Sequence, residues 1–223
     1  MNHDTLRQLA RALVAGELPA EAFLRQIAPL GIGDTGEAQV DLDRDRRCGF
    51  PEVVFGQGKT VEAIERIFQT SLEHGTDVFA TRISAEKAQR LVAAFPAGSY
   101  NPVARTFRIP SPVSEAPCRV GGRVTLVTAG TSDLPVAEEA RETLLWTGAE
   151  LRVVQDVGVA GPHRLRTHLD RLAGADAVVV VAGMEGALPS VVGGYVPCPV
   201  VAVPTSVGYG ASFGGLAALL GML

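Results

Sequence analysis

Residues 123–133 read RVTLVTAGTSD, and this stretch decides the fold that we predict for the chain. Its apolar, β-branched part at 124–127 is typical of a strand buried in a parallel sheet. The turn after it runs into LPVAEE, which starts like a helix, and Asp133 suits the N-cap because its carboxylate can accept the first helical amides. A small-residue turn in this position can bind phosphate or carboxylate groups. An ordinary strand–helix connection is the alternative.

The rest of the second half repeats this rhythm of strand and helix. Strands are predicted at 123–128, 149–154, 176–181 and 199–203, and helices at 133–147, 162–172, 186–193 and 212–223. Such alternation predicts an α/β fold with a doubly wound parallel sheet, in which ligands bind at the carboxyl ends of the strands.

The first half has a different pattern, which predicts a smaller α+β domain. Helices are predicted at 4–15, 20–29, 61–74 and 84–95, and strands near residue 40 and at 50–56, 77–82 and 100–109. A polar, proline-rich stretch without periodicity then separates the two halves. We therefore predict an N-terminal α+β domain at 1–109, a linker at 110–118 and an α/β domain at 119–223.

Composition excludes several classes of protein. The net charge of -4 over 223 residues, with no basic stripe, argues against a nucleic-acid partner. The most apolar stretch, 175–183, is far too short to span a bilayer, and the polar N-terminus does not resemble a signal peptide. Three scattered cysteines fit a reducing compartment. We therefore predict a cytoplasmic protein with no membrane partner.

Four loops that follow predicted strands of the second half are rich in groups suited to anion binding and proton transfer. They lie at 130–133, 156–164, 182–189 and 203–210. Because the carboxyl ends of parallel strands meet at one edge of a sheet, these loops are expected to converge. They would supply backbone amides, an imidazole and two carboxylates to a single site.

Three side chains in these loops are candidates for catalysis, each with a simpler alternative. Glu185 directly follows an apolar strand, where desolvation would make it a better base; alternatively it favours a helix dipole. His163 is either a catalytic imidazole or one bonded to backbone at a helix start. Asp133 is either part of a reactive centre or only an N-cap.

The first half contributes two cationic candidates. Arg46 lies in a dense run of alternating charges at 41–47, which is more often a solvated, self-neutralising surface. Lys59 lies in GQGKT at 56–60, which lacks the spacing of a Walker loop and precedes no parallel sheet. We reject P-loop chemistry, while a local phosphate contact by Lys59 stays open.

The second half resembles the PurE-type aminoimidazole ribonucleotide carboxylases and mutases. The turn at 130–133 partly matches their Gly-Ser-x-Ser-Asp phosphate loop, and residues 160–164 are similar to their Ser-Ala-His-Arg segment. Residues 182–189 are similar to their glycine- and alanine-rich loop that ends in Leu-Pro. Two positions depart from this pattern: Glu185 stands where that family has a small residue, and Pro162 interrupts its Ala-His pair.

A wider resemblance covers nearly the whole chain. The ordered segments DRDRRCGFPEV, GQGKT, TAGTSD and PTSVGYG, at 43–53, 56–60, 128–133 and 204–210, resemble the LarB family. Its members are the pyridinium-3,5-biscarboxylic acid mononucleotide synthases of nickel-pincer cofactor biosynthesis. The resemblance implies nicotinic acid adenine dinucleotide as substrate and carbon dioxide as co-substrate. The pyridinium ring is carboxylated and the phosphoanhydride cleaved, which releases AMP.

The resemblance also implies roles for residues. A thiolate adds to the pyridinium ring and a base removes the proton from the carboxylated carbon; Asp133 and Glu185 are candidates for that base, and His163 is a further catalytic candidate. Substrate and phosphate contacts are assigned to Gly130, Thr131, Ser132, Arg164, Gly183, Thr205, Ser206, Gly208, Tyr209, Arg46 and Lys59. Mg²⁺ or another divalent cation is expected, with unassigned ligands, and no tightly bound organic cofactor.

The cysteine nucleophile of the family has no match in this sequence. It lies in an Asn-Ser-Cys segment just beyond a helix like GLAALLGML, which here occupies 215–223. Cys48, Cys118 and Cys198 are not in that context, so we assign none of them as the nucleophile and expect the natural chain to extend further.

Assembly and two other functions complete the predictions. PurE-like domains work in symmetric assemblies, so a homo-oligomer built from dimers, up to an octamer, is expected. A PurE-type carboxylase or mutase is one alternative function. A non-catalytic nucleotide-binding module is the other.

Overall fold

The second half of the chain forms a four-stranded, all-parallel sheet in a computed structural model that describes residues 3–27, 31–111 and 121–223. Its elements, in chain order, are β7 (Arg123–Thr128), α6 (Leu134–Trp146), β8 (Glu150–Val154), α7 (Pro162–Arg166), α8 (Leu169–Leu172), β9 (Ala177–Ala182), α9 (Leu188–Gly193), β10 (Val200–Pro204) and α10 (Leu216–Met222). The strand order is β8-β7-β9-β10, which confirms the predicted α/β class. The order reverses between β7 and β9, and doubly wound sheets bind their ligands at that switch point.

The first half is a mixed α/β unit, as its sequence pattern predicts. Its elements are α1 (His3–Val14), α2 (Ala20–Ile27), β1 (Ile32–Asp34), β2 (Gln39–Asp41), α3 (Arg44–Cys48), β3 (Val53–Phe55), α4 (Val61–Glu73), β4 (Val78–Thr81), α5 (Ala85–Ala94), β5 (Ser99–Asn101) and β6 (Thr106–Ile109). Strands β1 and β2 form a hairpin, and the other four form a sheet in the order β3-β4-β6-β5. Strands β3 and β4 are parallel, so the expectation that no parallel pairing follows GQGKT is wrong.

Local sequence explains the two main helices of this unit. The Thr60 hydroxyl accepts the Ala63 amide at 3.2 Å to cap α4, and Ser84 caps α5 in the same way. Each helix turns its apolar stripe toward the sheet, and the core between them is built from Ile64, Phe68, Leu91 and Phe107.

Three predicted elements are wrong in detail. The single strand predicted at 100–109 is the hairpin β5–β6, because the Asn101 side chain accepts the amides of Val103 and Ala104 and folds the chain back. The helix predicted at 162–172 is divided into α7 and α8 around His168. The helix predicted at 212–223 begins only at Leu216, since Gly214 and Gly215 adopt left-handed φ values of 64° and 102°.

Parts of two other predictions lie outside the described residues. Of the predicted linker at 110–118, residues 112–118 lie outside the described residues, and Cys118 is one of them. Residues 28 and 29 of the second predicted helix lie outside them too. The domain limits therefore stay predictions. Among the described helices, none combines the length and apolar character needed to cross a membrane.

The two halves contact each other through α6. Its last residue, Trp146, is 1% exposed and stacks on Phe79 of β4, with ring centroids 5.0 Å apart. Phe50 meets the same indole edge-on at 6.3 Å. Earlier in the helix, Glu139 pairs with Arg82 at 3.1 Å, so α6 contacts the first sheet along its length. Because α6 begins directly after the 131–133 turn, this interface also positions that turn.

We predict that the Phe79→Ala substitution lowers the free energy of unfolding by about 3–5 kcal/mol, because it leaves a cavity against the indole. Trp146 is the sole tryptophan of the sequence, so its fluorescence reports this interface directly. Chemical denaturation followed by tryptophan emission measures both the stability and the environment of the ring.

Phe55→Ala is the matched control, because Phe55 is 54% exposed on β3. It should change the unfolding free energy by only about 0.5 kcal/mol. Equal effects of the two substitutions would contradict a stabilising role for the aromatic stack.

Candidate functional site

A cavity of about 520 Å³ lies at the carboxyl edge of the parallel sheet, above the switch point. This volume is in the range of sites for small organic ligands. The loops after all four strands line it, with residues Ala129, Gly130, Thr131, Ser132, Asp133, Asp156, Gly158, Val159, Ala160, Arg164, Ala182, Gly183, Met184, Glu185, Ala187, Leu188, Val207, Gly208 and Tyr209. The structure therefore brings together the loops that the sequence places after the strands.

Asp133 is the most buried polar residue of the cavity, at 3% exposure. One carboxylate oxygen accepts the Thr205 hydroxyl at 2.7 Å, and the other accepts the Gly130 amide at 3.0 Å. The side chain makes no capping bond to α6, so the predicted N-cap interaction is wrong. Asp133 instead closes the short 3₁₀ turn at 131–133 and ties it to the loop after β10.

Thr205 is 3% exposed and contacts Asp133, so it supports the cavity wall from behind. Its hydroxyl oxygen also accepts the Val207 amide at 3.3 Å. A residue with both hydrogen-bonding functions occupied inside the protein is a poor phosphate ligand. In this structure the Thr205 hydroxyl positions Asp133, and its assignment to substrate binding stays a prediction.

Gly183 allows these loops to approach each other. A Cβ atom at this position would lie 2.0 Å from the Val207 carbonyl oxygen and 2.8 Å from the Thr205 hydroxyl. Any side chain would push apart the very loops that the Asp133–Thr205 bond joins. The neighbouring Met184 adopts a left-handed φ of 55°, which is uncommon for a residue with a side chain.

Glu185 lies on the rim of the cavity and is exposed, contrary to the desolvation expected from its position after a buried strand. Strand β9 ends at Ala182, and the loop then turns outward before α9 begins. Among the described residues, Glu185 has no hydrogen-bond or ion-pair partner. Its backbone approaches α10 closely, because a Cβ on Gly221 would lie 2.1 Å from the Glu185 carbonyl oxygen.

Arg164 contributes the cationic group of the cavity. Its guanidinium Nη1 lies 2.8 Å from the Asp156 carboxylate, and Nη2 donates to the Gly158 carbonyl at 3.5 Å. Asp156 was not singled out from the sequence. The signal was nonetheless present, because Asp156 follows β8 just as Asp133 and Glu185 follow their strands.

The remaining candidates of the second half fall into two groups. Gly130, Thr131, Ser132, Gly208 and Tyr209 line the cavity, and the first amides of the 131–133 turn have no acceptor within that turn. His163 and Ser206 are exposed and are not among the described residues that line the cavity. The His163 imidazole thus lies outside the site, although its neighbour Arg164 lies inside it.

The two cations of the first half do not line this cavity in the described part of the chain. Arg46 binds Asp43 through two nitrogens at 2.7 and 2.8 Å, and this hydrogen bonding lowers the pKa of Asp43 below its usual value. It borders a separate, open cavity of about 1050 Å³ in the first half. Lys59 lies in a turn whose carbonyls at Gly56 and Lys59 accept the ammonium of Lys87, at 2.9 and 2.7 Å.

Comparison with known proteins assigns both halves of the chain. Residues 32–111 match the model of the LarB/PurE-like N-terminal domain, and residues 123–223 match that of AIR carboxylase. An uncharacterized protein of Methanocaldococcus jannaschii is 38% identical over 213 residues, which cover 92% of this chain and 82% of the relative. The two matched domains support a carboxylase-type function for the family.

We predict that Thr205→Val lowers the free energy of unfolding by about 1–3 kcal/mol, because it leaves a buried carboxylate oxygen of Asp133 without its donor. Valine keeps the shape of threonine, so the effect isolates the hydroxyl. Thermal and chemical unfolding provide the measurement.

Thr205→Ser is the matched comparison, because it keeps the hydroxyl and removes only a methyl group, at a cost of about 0.8 kcal/mol. Serine should therefore be the more stable of the two variants. A valine variant as stable as the wild type would show that the Asp133–Thr205 bond does not organise the loops.

Proposed function

Because the chain belongs to the LarB family, with a C-terminal domain of the PurE type, we propose that it carboxylates the pyridinium ring of nicotinic acid adenine dinucleotide. Carbon dioxide would add to ring carbon 5, and water would cleave the phosphoanhydride. The products would be pyridinium-3,5-biscarboxylic acid mononucleotide and AMP, in the pathway to the nickel-pincer cofactor.

One observation in the cavity carries this proposal: a single carboxylate, Glu185, remains without a partner among the described residues while the other two are engaged. Asp133 is held by Thr205 and Gly130, and Asp156 is paired with Arg164. A general base takes a proton from the substrate, and Glu185 can do so without giving up a hydrogen bond, whereas each oxygen of the buried Asp133 already accepts one. Of the two candidate bases, Glu185 therefore fits this role, and Asp133 fits a structural one.

The electrostatics of the cavity fit a cationic ring better than a neutral one. Three carboxylates and one guanidinium line it, so its side chains carry net negative charge. A pyridinium ring near Glu185 would be favoured by this charge. The anionic groups of the dinucleotide would bind at Arg164 and at the amides of the 131–133 turn, which also line the cavity.

The chemistry requires the ring to gain electron density before it can attack carbon dioxide. A thiolate that adds to the pyridinium gives a neutral, nucleophilic ring, and carbon 5 then forms the new bond to carbon dioxide. The base removes the proton from carbon 5 and the thiolate leaves, which restores aromaticity. In the described part of the chain no cysteine lines the cavity: Cys48 is exposed at the end of α3, and Cys198 packs against the core beside β10.

The expected divalent cation would need oxygen or nitrogen ligands from the protein or the substrate. The described residues contain no group of three or more His, Cys, Asp or Glu side chains placed to hold a metal ion. A cation held by protein ligands alone therefore has no place among the described residues, whereas a cation that also binds substrate phosphates needs fewer protein ligands. Mg²⁺ brought in with the pyrophosphate stays a prediction, as do the homo-oligomer and the cytoplasmic location.

A second function has one specific observation in its favour, the match of residues 123–223 to AIR carboxylase. That activity would use an aminoimidazole ribonucleotide, and it gives no role to the match of residues 32–111. A nucleotide-binding module without turnover is the non-enzymatic alternative.

We predict that the full-length protein, incubated with nicotinic acid adenine dinucleotide and labelled bicarbonate, incorporates label into a mononucleotide and releases AMP in equal amounts. Chromatography with radioactivity detection measures both products. Label incorporated only with aminoimidazole ribonucleotide would instead support the second function. Tight binding of the dinucleotide without products would support the binding module.

We predict that Glu185→Gln lowers kcat by a factor of about 10²–10⁴ and leaves the dissociation constant of the dinucleotide nearly unchanged, because it removes only the base. Glu150→Gln, at an exposed position at the start of β8, is the control and should keep full activity. Full activity of Glu185→Gln would rule out Glu185 as the base.

A further inference from the structure

The cavity has a shortage of positive charge for an anionic ligand. Arg164 is the one cationic side chain among the described residues that line it, and three carboxylates share the same walls. Beside the backbone amides of the 131–133 turn, this guanidinium is the group in the described lining that can neutralise the charge of a phosphate. In the structure, however, the guanidinium already has an anionic partner, the Asp156 carboxylate at 2.8 Å.

The backbone around Asp156 is firmly held in place. The Asp156 amide donates to the buried Thr128 hydroxyl at 3.2 Å, and the next two amides donate to the carbonyls of Thr128 and Ala129. Asp156 itself adopts a left-handed φ of 57°, which asparagine and aspartate tolerate better than other residues with side chains. Its carboxylate is thus presented to Arg164 by a loop that is fixed to the end of β7.

We propose that Asp156 is an internal competitor for the anion-binding group of this cavity. Its carboxylate occupies the position beside Arg164 that a phosphate group of the ligand takes on binding. The ligand must displace the carboxylate, so Asp156 weakens the binding of phosphate-bearing molecules in general. Only a ligand that also binds the other groups of the cavity, including Glu185, compensates for that loss of affinity. Asp156 would in this way set the specificity of the site.

The ion pair has the properties that such an exchange requires. The Asp156 side chain is 53% exposed and that of Arg164 is 36% exposed, so water can solvate the displaced carboxylate. Exposed ion pairs contribute little to stability and are readily exchanged. A guanidinium binds phosphate in a bidentate geometry that is stronger than a contact with one carboxylate oxygen.

The test measures the affinity for inorganic pyrophosphate by isothermal titration calorimetry. Asp156→Asn should bind it about three- to tenfold tighter than the wild type, because the substitution removes the competing charge and asparagine keeps the left-handed backbone. Arg164→Gln should bind it at least about tenfold more weakly. Added to Arg164→Gln, the Asp156→Asn change should have no further effect, because the competition needs both partners.

Asp170→Asn is the matched control for the change in net charge. Asp170 is exposed on α8 and lies outside the cavity, so this variant should bind pyrophosphate within about twofold of the wild type. Unchanged or weaker binding of pyrophosphate by Asp156→Asn would overturn the proposal. It would also be overturned if Asp170→Asn tightened pyrophosphate binding by a similar factor, or if Asp156→Asn did so when combined with Arg164→Gln. Undetectable binding by both the wild type and Asp156→Asn would also overturn it.

This inference rests on the proposed function only for the identity of the natural ligand. Pyrophosphate binding is measured without turnover, so the two can fail separately. If carboxylation is absent but Asp156→Asn binds pyrophosphate more tightly than the wild type, the proposed competition is supported and the proposed reaction is overturned. If carboxylation is found but Asp156→Asn does not bind pyrophosphate more tightly than the wild type, only the proposed competition is overturned.

Discussion

The hydrogen bond between Asp133 and Thr205 is the constraint on which the candidate site depends. It joins the loops after β7 and β10, two strands that are separated in the sheet by β9. The bond can form only because Gly183, at the end of the intervening strand, has no side chain to occupy the space between them. A buried carboxylate, a buried hydroxyl and a glycine thus define the floor of the cavity together, and none of them needs to contact the ligand.

Helix α6 extends this constraint to the first half of the protein. It begins after the turn that Asp133 closes and ends at Trp146, whose indole is enclosed by Phe79 and Phe50. Along the helix, Asn101 donates to Glu138 at 2.9 Å and to Glu142 at 3.2 Å. The first half therefore acts on the site indirectly, by fixing the helix that carries the turn. Among the described residues, helix α6 is the main physical link between the first half and the cavity.

The three carboxylates of the cavity differ in their partners, and this difference divides their roles. Asp133 is buried and accepts one hydrogen bond at each carboxylate oxygen, which suits a structural anchor. Asp156 is half-exposed and paired with a cation, which suits exchange with a ligand. Glu185 is exposed and without a described partner, which suits proton transfer. Because burial and hydrogen bonding differ at each position, the same functional group is suited to a different role at each of them.

The sequence by itself determined the α/β class, the parallel sheet and the four loops at its carboxyl edge, because hydrophobic periodicity and small-residue turns are local signals. Only the tertiary structure decided which polar groups in those loops are free. Asp133 and Thr205 are 72 positions apart in the chain, and no local pattern indicates that the threonine hydroxyl donates to the carboxylate. The exposure of Glu185 and the separation of Arg46 and Lys59 from the cavity have the same origin. Burial and pairing depend on residues that are distant in sequence and become neighbours only when the sheet forms.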